Sequence, residues 1–139
     1  MNELNVRILA PGAAIGPAAV LDEPLSLWGG LDPATGLLTD PHHPQHGMSL
    51  ARRVVVMPGG RGSSSSSSVL AEAVRAGVAP AAFVLFEQDL ILAIGAMVAD
   101  ELYDVRVPVV VVAREPLDGL RDGAALEITA GGVLRWEAL

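Results

Sequence analysis

Three short apolar runs, RRVVVMP, AAFVLF and VPVVVV, recur along the chain with helical patterns between them. Strands that are apolar at nearly every position belong to sheets covered on both faces. Strands joined through a helix run parallel, because a tight hairpin would reverse the direction of the second one. The first intervening segment, SVLAEAVRAG, reads as a helix stopped at Gly77. The second, LILAIGAMVADELYD, places Leu90, Ile91, Ile94, Val98 and Leu102 at helical spacing, a stripe read as core. Residues 107–112, almost all valine, read as the central parallel strand.

Other segments add antiparallel pieces. Residues 4–10, LNVRILA, alternate like a half-buried strand that PGAAIGP then breaks, and AAVLDEPLSLW reads as a second strand ending near Pro24. The end, ALEITAGGVLRWEAL, is strand, Gly-Gly turn, strand. Residues 29–47 form a long loop holding all three histidines, with a short hairpin at DPATGLL. The expected fold is therefore α/β, a parallel β-α-β core with antiparallel additions, in one domain over residues 1–139.

Six consecutive serines, residues 63–68, stand where the first of these strands turns into its helix, in VVVMPGGRGSSSSSSVLAEAV. A flexible linker is a poor reading, because neither side holds a domain that needs linking. A nucleotide-binding loop needs a Lys after its last Gly, and a hydrolase elbow needs Gly-x-Ser-x-Gly; neither is present. The fourth reading follows from position. Gly59, Gly60 and Gly62 allow close backbone approach, and the serines open a helix whose first-turn N–H groups and partial positive charge attract anions. One serine can cap that helix. A neighbouring hydroxyl at the same positive end can have its alkoxide stabilised, and so act as a proton-abstracting base on an acidified C–H bond.

Composition narrows the options. The net charge is −7, with nine arginines, no lysine and no basic stripe, which argues against nucleic-acid binding. There is no cysteine, hence no disulfide, thiol nucleophile or thiolate ligand. The first residues lack the pattern of a signal peptide and the apolar runs are too short and interrupted to span a bilayer, so a soluble, cytoplasmic protein is expected. His42, His43 and His46 are spaced like metal ligands, but Pro41 and Pro44 preclude the helix that such spacing would need, and a loop packed on a partner or a substrate pocket is expected instead. Glu87 and Asp89 read as caps for the helix that follows, and Trp136 and Leu139 as candidates for a subunit interface. Serines without a visible electrophilic partner amount to half an active site.

The segments DEPLSLWGGLDPATG, DPHHPQHGMSLARRVVVMPGGRGSSSSSSVLAEAV and GVAPAAFVL together resemble the small subunit, or swivelling domain, of the aconitase X family, over residues 17–112. The resemblance implies a swivelling β/β/α domain that caps the site of a hydro-lyase. An iron–sulfur cluster would be carried by the large subunit, the partner chain, and would act as Lewis acid on a departing hydroxyl. It implies Ser63 as the catalytic base, with Ser64 and the backbone around Ser65 holding a substrate carboxylate. Arg61 and Gly62 would join them, although the family's arginine position is occupied here by Ser65. Gly29, Gly30, Asp32 and His43 would line the edge of the substrate site. The polyserine form resembles the branch that dehydrates cis-3-hydroxy-L-proline to pyrroline-2-carboxylate. The alternatives are a phosphomevalonate dehydratase small subunit and a non-catalytic anion-binding or regulatory domain.

Overall fold

A computed structural model describes residues 2–60 and 63–137. The strands are β1 (Asn2–Asn5), β2 (Arg7–Ala10), β3 (Ala14–Val20), β4 (Val54–Met57), β5 (Ala82–Leu85), β6 (Val109–Val111), β7 (Ala125–Ile128) and β8 (Val133–Trp136). The helices are α1 (Leu27–Gly30), a single irregular turn, α2 (Ser66–Arg75) and α3 (Leu90–Tyr103), and a 3-10 turn spans Glu115–Leu117. Among the described residues no helix is long and apolar enough to cross a membrane.

The eight strands are ordered β1-β8-β7-β3-β4-β5-β6-β2. β3 to β6 run parallel, as the strand–helix alternation requires, and β7–β8 is the expected hairpin. The sheet's two outer strands are consecutive in the chain, with only Val6 between them: β1 pairs with β8, and β2 with β6. One extended segment thus joins both margins and rolls the sheet into a nearly closed barrel. β3 also changes partner midway, pairing with β7 through Ala14–Pro17 and with β4 from Ala18 onward.

Alternation along the strands separates two cores. Val54, Val56, Ala82, Val84 and Val110 point into the barrel, where Leu126, Ile128, Leu134 and Trp136 complete the filling. Val55, Met57, Phe83, Leu85 and Val109 face outward and are covered by α2 and α3. α2 stops at Gly77 (φ +76°), whose N–H donates to Val74 O while Val78 N–H donates to Ala73 O. This pair of hydrogen bonds satisfies carbonyls that the helix end would otherwise leave open.

The structure corrects four expectations. Residues 4–10 are two pairing segments and not one strand. PGAAIGP does end the strand at Ala10, but only residues 11–13 lie outside the sheet: β3 runs through Gly16 and Pro17, because β4 pairing starts only at Ala18 and the missing proline N–H falls where β3 has a single neighbour. β6 is not central; it lies between parallel β5 and antiparallel β2. The stripe Leu90, Ile94, Val98 and Leu102 is exposed and Ile91 half-buried, while Leu92, Ala93, Gly95, Ala96 and Ala99 face inward. The reason is close approach. A Cβ on Gly95 would lie 2.9 Å from Ser67 Cα, so α3 turns its small side toward α2.

Candidate active site

Ligand crevices in parallel sheets lie beyond the carboxyl ends of the strands. Here β4 runs out into Pro58-Gly59-Gly60 and β5 into Phe86-Glu87-Gln88-Asp89. The two loops are tied together, since Phe86 N–H and Glu87 N–H both donate to Pro58 O at 3.2 and 3.1 Å. Leu25 bridges to Gly60 and brings a third segment to the same place. Gly60 lets the Asp89 carboxylate lie against the backbone: an added Cβ would fall 1.7 Å from Asp89 Oδ2 and displace it. Between these loops and the start of α2 lies a depression of about 340 Å³. Its walls include Leu27, Gly60, Ser63, Ser66, Asp89 and Leu90.

The serines form a turn that leads into α2. Ser63 O accepts from Ser66 N–H at 3.1 Å, and Ser65 O accepts from Val69 N–H at 3.2 Å. Ser63 Oγ accepts from Ser65 N–H at 3.1 Å, so the hydroxyl on the depression wall already receives a backbone donor from the helix start. Such a donor favours the anionic form of the oxygen that it contacts. Ser65 precedes α2 without a side-chain cap, whereas Asp89 Oδ1 caps α3 by accepting from Leu92 N–H at 3.0 Å. Ser66 is buried and its Oγ accepts from Trp28 N–H at 3.3 Å, fastening the Trp-Gly-Gly segment to the serine turn.

The expected site residues are therefore brought together unevenly. Ser63 lines the depression; Ser64 and Ser65 are exposed beside it in the same turn. Arg61 and Gly62 lie outside the described residues. Gly29 (φ +80°) is exposed one residue beyond Trp28, and Gly30 is buried against Leu25, whose Cδ1 would be 2.7 Å from an added Cβ. Asp32 shapes the expected hairpin: its Oδ1 accepts from Ala34 N–H at 2.9 Å, and Leu31 bridges to Leu38 across the turn.

His43 is not among the residues lining the depression. It is buried, its Nε2 donates to Glu23 O at 3.1 Å, and its Nδ1 accepts from Gln45 N–H at 3.1 Å. Both nitrogens of the neutral ring are thereby used to pin the loop. His42 and His46 are exposed.

Among the described residues no cluster of His, Asp or Glu could hold a metal ion, and the sequence offers no thiolate. These residues do not fit an iron–sulfur cluster. Asp89 caps its helix as expected, but the sequence reading missed that it also lines the depression. Glu87 has no such capping bond among the described residues; its Oε2 instead lies 3.6 Å from where a Cβ on Gly59 would be. The missed signal was available, because loops that follow adjacent parallel strands converge.

The sequence pattern of the aconitase X swivel domain matches residues 3–135. A cis-3-hydroxy-L-proline dehydratase of Pseudomonas aeruginosa is 47% identical over 103 residues, which are 74% of this chain and 18% of that one. A phosphomevalonate dehydratase small subunit of Methanothermobacter thermautotrophicus is 37% identical over 129 residues, covering 92% of this chain and 94% of its own. The fold matches a chain in the crystal structure of Thermococcus kodakaraensis aconitase X in its holo-form, with TM-score 0.86, 30% identity and coverage of 99% and 100%. A domain match over nearly the whole chain and a shared fold lead to one conclusion: the chain belongs to the aconitase X swivel domain family.

Proposed function

We propose that this chain is the small subunit of a two-subunit aconitase X-type hydro-lyase that dehydrates cis-3-hydroxy-L-proline, with Ser63 as the base. The observation that carries the proposal is Ser63 Oγ on the wall of the depression, accepting from Ser65 N–H at the start of α2. The serine alkoxide takes the proton from C2. The C2–H electron pair becomes the C2–C3 double bond as the 3-hydroxyl leaves with its own pair, and the enamine tautomerises to pyrroline-2-carboxylate. The turn at Ser64 and Ser65, with Arg61, holds the carboxylate near the positive helix end. The family's iron–sulfur cluster is assigned to the large subunit, since this chain has no cysteine.

Asp89 supports the substrate. It is the charged residue among the described residues lining the depression, and no hydrogen bond to its Oδ2 is made among them. A carboxylate there suits the secondary ammonium of hydroxyproline and repels a phosphate monoester, which carries about two negative charges. The higher identity to the hydroxyproline enzyme points the same way. The second reading, a phosphomevalonate dehydratase small subunit, is favoured by a relative of that name that is almost coextensive with this chain.

The test is turnover by the chain assembled with its cognate large subunit. Wild type should consume cis-3-hydroxy-L-proline, and Ser63→Ala should lower kcat by about 10²–10⁴-fold, the usual contribution of a positioned base. Full turnover by Ser63→Ala would remove Ser63 from the mechanism. Turnover of phosphomevalonate alone would transfer the chain to the second reading.

A further inference from the structure

α3 is apolar on both sides. Its small residues face α2 and the sheet, while Leu90, Ile94, Met97, Val98 and Leu102 are between 41% and 62% exposed. A helix apolar all round is normally buried, and soluble monomers seldom carry so continuous an apolar ridge. At 14 residues the ridge is about 20 Å long.

The ridge is also placed in a particular way. It begins at the depression, where Leu90 and Ile91 form part of the wall beside Ser63. Leu27 contributes elsewhere to the same wall, and the residue after it, Trp28, is 60% exposed. A body seated on both the ridge and Trp28 would seal the mouth of the depression from water.

We infer that the outward face of α3, together with Trp28, is the docking surface for the large subunit, and that docking there closes the catalytic depression. This deepens the two-subunit function proposed above and rests on it. The relatives fit such an occupant: in one the domain is 18% of a longer chain, and another, nearly coextensive with this one, is named a small subunit. Charge specifies the partner further. Glu87, Glu101 and Asp104 are exposed around the ridge without ion pairs among the described residues, and the whole chain carries −7. The seat on the partner is therefore apolar with a basic rim. A second copy is a poor occupant, because a two-fold contact would bring these acidic rims together and cover the substrate site.

The test measures affinity for the purified cognate large subunit. Ile94→Glu/Leu102→Glu should bind about a hundredfold or more weakly, as loss of central apolar anchors does, with an unchanged melting temperature. Met97→Glu/Val98→Glu should do the same and serves if the first pair perturbs folding. Wild-type affinity in both would overturn the inference. So would a wild-type homodimer that these substitutions dissolve while large-subunit binding persists. Ser63→Ala should keep wild-type affinity while losing turnover, so failure of the surface and failure of the catalytic reading give different results.

Discussion

α2 and α3 follow consecutive parallel strands, lie on the same face of the sheet and begin at the same depression, yet they are finished by different surroundings. α2 buries Leu70, Ala73 and Val74 and turns Glu72 and Arg75 to water. α3 buries glycine and alanines and exposes its large side chains. Their beginnings differ too. Asp89 caps α3, whereas no side chain caps α2, and of the serines at its start Ser63 and Ser66 line the depression. Water completes the outer side of the first helix; for the second we assign that place to protein. In place of a side-chain cap, the first N–H groups of α2 donate to the carbonyls of Ser63, Ser64 and Ser65.

Substitutions can press on this contrast. The largest structural effect is expected where the helices touch. Gly95→Ala would raise the propensity of a free helix by about 1 kcal/mol, but here its Cβ meets the Ser67 backbone. Gly95→Ala should therefore lose stability, and Gly95→Val should lose about 1–3 kcal/mol in urea unfolding. A stabilising Gly95→Ala would mean that the close approach is not what turns α3 inside out. The caps give the next effect. Asp89→Ala should cost about 1 kcal/mol, while Ser65→Ala should be silent within about 0.5 kcal/mol. Equal losses would erase the asymmetry between the two starts.

The smallest effect concerns the wet side of α2. The hydrogen bond from Arg75, reinforced by its charge, holds the Glu72 carboxyl below its ordinary value. A depressed carboxyl contributes stability above the unfolded-state value and loses it as pH falls. Glu72→Gln should match wild type in acid and trail it slightly above about pH 5, read from melting temperature across pH.

Much of this was legible in the sequence. The valine-rich runs gave β4, β5 and β6 as parallel strands, and the Gly-Gly turn gave the β7–β8 hairpin, because buried strands and tight turns have strong local signatures. The serine turn before α2 was also expected from local chemistry, whereas Ser63 was singled out by the resemblance. What failed needed distant partners. Alternation in residues 4–10 reveals a strand but not that its halves serve β8 and β6. Periodicity located an apolar stripe on α3 but could not choose between two apolar faces, and the close contact at Gly95 decided it. His43 has the chemistry of a site residue, and only the position of Glu23 O shows that the ring is used internally.

The segment that joins the margins of the barrel has a consequence for how the protein is made. β1 and β2 leave the ribosome before the other six described strands, but their partners are residues 133–136 and 109–111. At common rates of synthesis the first strand waits on the order of ten seconds for its neighbours. The parallel unit between residues 54 and 111 can gather meanwhile, since its contacts are closer in sequence. Closure waits for β8, and a nascent chain stalled before it would hold β1 without its partner strand.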